Sequence, residues 1–312
     1  MRLKVLLTSS SFIDTPGFHQ ELLNSKNFDL IKIRGPLKEN QLLEVINDVD
    51  AIICGDDELT RKVLIAGKKS KLKAISKYGI GLDKIDLLSA SEFNIPIANC
   101  KGVNHTTVAE HVFALLLTFT KNIIQENEYI RKNHWNRLIG TELLGKKIGI
   151  IGTGNVGKEV IKRALVFGMK VFAFDKFPDL DFSKKHNFQY CNDIESILSD
   201  CDIISLNIPL NPKESKIITN DILSILKVGV IIVNTARAGL VDQDSIIKGL
   251  ESNIIGGYLT DVLEEEPMMA NHPLIKYKNV IITPHIGSRT YENVVKQGTM
   301  AVENLIKLIN HE

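Results

Sequence analysis

Short unbroken apolar runs alternate with helically spaced apolar residues along most of the chain. Residues 3–8, 29–34, 51–54 and 72–78 read as strands, with Leu30, Ile31 and Ile33 marking the second. Residues 18–23, 39–46 and 60–66 carry helical spacing, and Thr60 stands where it can cap the third. The strand at 72–78 runs into Gly79 and Gly81. Such alternation predicts a parallel sheet with helices on both faces.

Residues 106–122 hold the strongest helical pattern, apolar at Val108, Val112, Leu115, Leu116 and Phe119. This helix is the expected connector into a second unit. There, strands at 148–151, 171–175, 203–207, 230–234, 255–259 and 280–283 alternate with helical stretches. Thr219 and Asp221 precede a predicted helix at 222–226, with Gly229 beyond it. A last helix at 290–309, about 30 Å long by its rise per residue, is expected to return to the first domain. The predicted fold class is α/β: two Rossmann-like doubly wound domains with a cleft between them. The cofactor domain, residues 103–285, is inserted in a substrate domain made of residues 1–102 and 286–312.

A length of 312 residues exceeds what one hydrophobic core usually supports, which fits two domains. The 38 Lys and Arg against 37 Asp and Glu leave a formal charge of +1. That balance supplies no field for nucleic acid or an anionic membrane, so neither is an expected partner. Cys54, Cys100, Cys191 and Cys201 form no C-x-x-C pair, so no metal is expected and a reducing compartment fits best. The first apolar run stops at Thr8 and Ser9, too short for a signal sequence, and residues 112–117 are too few to span a bilayer. A cytoplasmic location follows as the expectation.

Gly152-Thr-Gly154-Asn-Val-Gly157 follows an apolar strand and opens a helix. In that setting Gly152 makes the tight turn, Gly154 lets backbone approach a pyrophosphate, and Gly157 lets helix and strand pack closely. Amides at the helix start then bind phosphate, helped by the helix dipole. Asp175 ends the next strand, where an acid accepts bonds from the ribose hydroxyls of NAD. A 2′-phosphate there meets a like charge, so NAD is expected over NADP, with Lys176 a softening influence.

Three more segments end strands of the second domain and carry Arg237, Glu266 and His285. Ligands of open α/β sheets bind beyond the carboxyl ends of strands. Reduction of a 2-keto acid needs a carboxylate anchor and a proton donor. Arg237 offers the planar fork. His285 is the candidate acid in reduction and base in oxidation, and Glu266 the carboxylate that orients it. His111 shares a helical stripe with Val108 and Leu115 and reads as a satisfied core or interdomain histidine. His105, His134 and His272 read as loop residues.

Six motifs in order make the resemblance specific. They are Lys77-Tyr-Gly-Ile-Gly-Leu-Asp83, Val108-Ala-Glu-His111, Gly152-Thr-Gly-Asn-Val-Gly157, Asn234-Thr-Ala-Arg237, Asp261-Val-Leu-Glu-Glu-Glu266-Pro267 and Pro284-His285-Ile-Gly287. Over essentially its full length the chain resembles the D-isomer-specific 2-hydroxyacid dehydrogenases, and within them the group around D-3-phosphoglycerate dehydrogenase. The resemblance implies an NAD-dependent interconversion of a D-2-hydroxy acid and its 2-keto acid, with Arg237, Glu266 and His285 catalytic. It implies cofactor contacts at Gly152, Gly154, Asn155, Val156, Gly157, Asp175, Pro209, Thr235, Ala236 and Asp261. It implies substrate contacts at Lys77, Tyr78, Gly79, Ile80, Gly81 and Arg237, with the amides around Gly79 to Gly81 holding the carboxylate. It further implies a homodimer, with an arm around Trp135, Arg131 and Arg137 packing on the partner.

The pattern departs from the phosphoglycerate enzymes at two places. Cys54 falls where the phosphate-binding arginine is expected, and Lys77 stands where arginine is usual. No serine-sensing regulatory domain is expected within the 312 residues. Glyoxylate or hydroxypyruvate reduction is therefore the nearest alternative. A non-catalytic NAD-sensing, corepressor-like protein is a second. Formate or phosphite oxidation is disfavoured because Pro284, rather than Gln, precedes His285.

Overall fold

A computed structural model describes residues 2–211 and 213–310. The chain divides into two compact units, Met1–Asn104 with Arg289–Glu312, and His105–Ser288. The first unit begins β1 (Leu3–Leu7), α1 (Ser10–Asp14), α2 (Phe18–Asn24), β2 (Phe28–Lys32), α3 (Glu39–Val45) and β3 (Ala51–Cys54). It continues with α4 (Arg61–Ser70), β4 (Ala74–Lys77), α5 (Leu87–Glu92) and β5 (Ile97–Asn99). Its sheet is parallel in the order β2-β1-β3-β4-β5. Side chains alternate across it: Leu6, Ile52 and Ile75 enter one core, while Val5, Leu7 and Ile53 enter the other. β3 and β4 are buried along their whole length, as central parallel strands require.

The second unit opens with α6 (His105–Thr120), α7 (Ile123–Arg131), β6 (Lys147–Ile151), α8 (Asn155–Val166), β7 (Lys170–Phe174) and α9 (Leu180–His186). Next come β8 (Gln189–Tyr190), α10 (Glu195–Asp200), β9 (Ile203–Leu206), β10 (Val230–Asn234), α11 (Gln243–Glu251), β11 (Ile255–Thr260) and β12 (Val280–Ile282). The sheet is parallel in the order β12-β11-β10-β9-β6-β7-β8. Strand order reverses between β6 and β9, which is where doubly wound sheets bind ligands. α12 (Tyr291–Asn310) then completes the first unit, burying Ala301, Val302 and Leu305 against Val5, Leu7 and Ile53. Among the described residues no single helix is long and apolar enough to cross a membrane. α6 and α7 pass that test only as a pair bent by 58°, and α6 lies in the core of its unit.

Two sequence expectations fail for local reasons. Residues 222–226 do not form an α-helix; a single 3₁₀ turn spans Asp221–Ser224. The Lys227 amide turns away to Leu198 O at 3.1 Å, leaving too few residues to nucleate a helix. Thr60 takes the N-cap position of α4, yet its hydroxyl donates to Glu39 Oε2 at 2.6 Å and makes no cap bond.

Candidate active site

The turn after β6 is glycine for three separate reasons. Gly152 has φ +94°, and a Cβ there would meet Asn207 O at 2.8 Å. A Cβ on Gly157 would meet Gly152 O at 2.0 Å. Gly154 is exposed, and a Cβ there would meet nothing within 4 Å. Gly154 is also the N-cap of α8 and makes no side-chain cap bond. The first-turn amides of a 12-residue helix are thus presented to whatever occupies the open space above Gly154. Asn155 is exposed and Val156 half-buried on that turn, and exposed Pro209 follows the facing strand β9.

Asp175 follows β7. Its Oδ2 accepts from Thr153 N at 2.6 Å and Thr153 Oγ1 at 3.0 Å, and its Oδ1 from Phe177 N at 2.9 Å. Burial opposes its charge, but the Phe177 and Thr153 amides, the Thr153 hydroxyl and the Lys158 charge together hold it below the usual carboxylate range. Tyr190 OH donates to Thr153 Oγ1 at 2.9 Å and braces this arrangement. Lys176, expected to soften the charge, pairs with Glu214 at 2.7 Å. An open amide-lined turn beside a fixed carboxylate fits a dinucleotide.

Asn234, Thr260 and Ile282 stand in one row across β10, β11 and β12. Arg237, Glu266 and His285 follow that row on three adjacent strands. Buried Asn234 shapes the first of these loops: its Nδ2 donates to Arg237 O at 2.9 Å and its Oδ1 accepts from Ala236 N at 3.1 Å. Thr235, Ala236 and Arg237 are half-buried, and Arg237 Nη1 donates to Ala236 O at 2.7 Å. Glu266 Oε1 accepts from Leu263 N at 2.9 Å, and its Oε2 lies 2.8 Å from His285 Nδ1. A carboxylate only accepts, so Nδ1 carries the proton of this bond.

Asp261 is buried, and its carboxylate is spent on the turn around His285. Oδ1 accepts from Thr283 Oγ1 at 2.5 Å and Ile286 N at 2.9 Å, and Oδ2 from Gly287 N at 2.7 Å. Burial raises its pKa, but the bonds from His111, Thr283 and the two amides outweigh burial and lower it. His111 Nε2 reaches Thr283 Oγ1 at 2.9 Å, a polar partner within its own unit. Sequence reading missed Thr283 and its contact with His111. Their only trace was a polar pair, Thr107 and His111, four residues apart on an apolar helix. His272, expected in a loop, is buried and caps the 3₁₀ turn Pro273–Lys276.

In the first unit the expected substrate residues divide. Gly79, with φ +133°, and half-buried Gly81 flank exposed Ile80, whose carbonyl accepts from Asn99 Nδ2 at 2.6 Å. The Tyr78 ring instead belongs to the core against Phe12, and burial pushes its hydroxyl pKa up. Lys77 is not solvated: it is 3% exposed, and its Nζ donates to Gly55 O and Asp56 Oδ1, each at 2.6 Å. Cys54 lies wholly inside the sheet, its thiol pushed up to about 12 by burial, so this position offers no side chain to a ligand.

Residues 113–287 match the family model described as D-isomer specific 2-hydroxyacid dehydrogenase, NAD binding domain. A hydroxypyruvate reductase of Thermotoga maritima is 35% identical over 92% of this chain and 93% of its own length. A D-3-phosphoglycerate dehydrogenase of Methanocaldococcus jannaschii is 34% identical over 90% of this chain, which spans only 54% of that relative. The apo-structure of D-lactate dehydrogenase from Escherichia coli superposes with a TM-score of 0.88 at 28% identity, covering 100% of this chain and 98% of that one. With the glycine turn, the acid after the next strand and the histidine–glutamate pair all present, the chain belongs to the D-isomer-specific 2-hydroxyacid dehydrogenase family.

Proposed function

We propose that the protein is an NAD-dependent dehydrogenase that interconverts a small D-2-hydroxy acid and its 2-keto acid, using Arg237, Glu266 and His285. The observation that carries this reading is the 2.8 Å bond between His285 Nδ1 and Glu266 Oε2. It keeps one proton on Nδ1, so the imidazolium form gives its Nε2 proton to the substrate oxygen in reduction, and the neutral ring takes a proton back at Nε2 in oxidation. Bound NADH supplies hydride to the keto carbon. The Arg237 fork holds the substrate carboxylate and polarises the neighbouring carbonyl. Gly152, Gly154, Asn155, Val156 and Gly157 take the pyrophosphate, and Asp175 the ribose. Pro209, Thr235, Ala236 and Asp261 are assigned to the cofactor on the family resemblance, as are the amides of Gly79, Ile80 and Gly81 to the substrate carboxylate.

Lys77 supports a small, singly charged substrate. Its charge is already matched by Asp56, so a phosphate would have to displace a carboxylate to use it. Glyoxylate and hydroxypyruvate therefore fit better than 3-phosphohydroxypyruvate. The test is NADH oxidation with a panel of 2-keto acids in the wild type and Arg237→Ala. Arg237-dependent turnover of a small keto acid supports the reading. No turnover alongside tight NADH binding would favour nucleotide sensing instead.

A homodimer in the cytoplasm completes the proposal. Ile123, Ile124, Ile130, Trp135, Ile139 and Leu144 are exposed on α7 and the segment after it, an apolar run that a partner would cover. The free cysteines suit a reducing compartment. A monomer mass by light scattering would overturn the dimer.

A further inference from the structure

We infer that His111 is a positioning residue for His285, acting through the turn at residues 283–287. The inference rests on the acid/base reading of His285 and asks what keeps that residue in place. His285 has φ +54°, a left-handed conformation that a residue with a side chain holds only when its surroundings impose it. Its amide donates to Thr283 O at 3.0 Å, so the chain makes a tight turn at the catalytic ring.

α6 grips that turn at two points. Thr107 Oγ1 donates to Gly287 O at 3.2 Å. One helical turn on, His111 Nε2 lies 2.9 Å from Thr283 Oγ1 and 3.4 Å from Asp261 Oδ1. Thr283 has one hydroxyl proton and gives it to Asp261 at 2.5 Å. Its oxygen must therefore accept from His111, which assigns the His111 proton to Nε2. Asp261 in turn accepts from the amides of Ile286 and Gly287, the two residues that follow His285. A Cβ on Gly287 would lie 2.9 Å from Asp261 Oδ2 and 3.5 Å from His111 Cδ2, so the three groups are in close contact. His111 orients Thr283 and Asp261, these fix both flanks of His285, and the ring is delivered to Glu266.

Loss of this brace moves the ring without touching its own partners. A misplacement on the order of 1 Å costs up to about 100-fold in rate. His111→Leu is therefore expected to lower kcat about 10- to 100-fold, with the KM for NADH nearly unchanged, because the glycine turn and Asp175 are untouched. His111→Gln keeps an N–H donor and is expected to restore most of the rate. Thr107→Val, which removes the other grip, is the second variant should His111→Leu fold poorly, and should show a smaller loss of the same kind.

A second readout is independent of turnover. The downfield proton resonance of His285 Nδ1–H, identified by its loss in His285→Gln, should shift in His111→Leu and return in His111→Gln. An unchanged resonance and unchanged kcat in His111→Leu would overturn the inference. So would a loss that tracks melting temperature and is not rescued by Gln. If the resonance shifts as expected while His285→Gln keeps full turnover, the acid/base reading fails and the positioning contact stands.

Discussion

The two units begin alike and diverge at the first turn. β1 leads into α1 through Thr8 and Ser9, and β6 leads into α8 through Gly152, Thr153 and Gly154. In the first unit Ser9 Oγ accepts from Phe12 N at 3.4 Å, so the five-residue helix satisfies its own start. In the second, Gly154 supplies no side chain, and twelve residues of helix stand behind the open amides. One turn is finished by the protein; the other is left open to an anion. The same βα unit thus closes on itself or presents open amides according to whether its cap carries a side chain.

A second contrast lies in two buried carboxylates that follow strands. Asp57, beyond β3, accepts from Thr8 Oγ1 at 2.5 Å and Leu37 N at 2.6 Å. Burial outweighs those bonds and raises its pKa. Asp261, beyond β11, gathers donors from His111, Thr283, Ile286 and Gly287, which outweigh burial and lower its pKa. The supply of donors decides the sign of the shift.

The largest expected effect separates chemistry from binding in the second unit. His285→Gln should lower turnover by about 10²–10⁴ while NADH binding, followed by protein fluorescence quenching, is retained. Next is Asp175→Ser, which removes the charge that faces a 2′-phosphate. Like charges 4 Å apart repel by about 4 kcal/mol at an effective dielectric near 20. The ratio of kcat/KM for NADPH over NADH should rise by one to two orders of magnitude, less than that figure because solvent screens part of it. Gly154→Ala fills the open space and should weaken NADH by about ten-fold, or about 1.4 kcal/mol, with little change in melting temperature. Its counterpart Ser9→Ala should do the reverse, costing about 1 kcal/mol of stability and leaving the NADH affinity alone.

The smallest effect is in the pH dependence of stability. Asp57 has a raised folded pKa, so its favourable contribution is complete below the unfolded value and is lost as pH rises through the folded one. Asp261 has a depressed pKa, so its contribution is present above the unfolded value and is lost as pH falls through the folded one. Melting curves across the acid range should show Asp57→Asn gaining on the wild type as pH rises. Asp261→Asn should fall further behind it over the same range.

The sheets were legible because central parallel strands are unbroken apolar runs. Expected boundaries at 51–54 and 230–234 coincide with β3 and β10. β5 and β8, of three and two residues, are too short to show a period, and α7 has only nine residues, with Ile123, Ile124 and Ile130 exposed rather than in a core. The histidine–glutamate pair could be anticipated from residue chemistry and family resemblance. The brace behind it could not, since His111, Asp261 and Thr283 lie far apart in the chain and meet only after folding. Lys77, expected at the substrate, could not be placed for a similar reason: that its charge is buried on Asp56 shows only in the fold.

The most direct test of the central claim is the handedness of the product. Hydroxypyruvate or pyruvate would be reduced with NADH by the wild type, and the resulting 2-hydroxy acid resolved on a chiral column. The D-enantiomer alone, formed at a rate that collapses in His285→Gln, is the expected result. An L or racemic product, or turnover that survives loss of His285, would contradict the assignment.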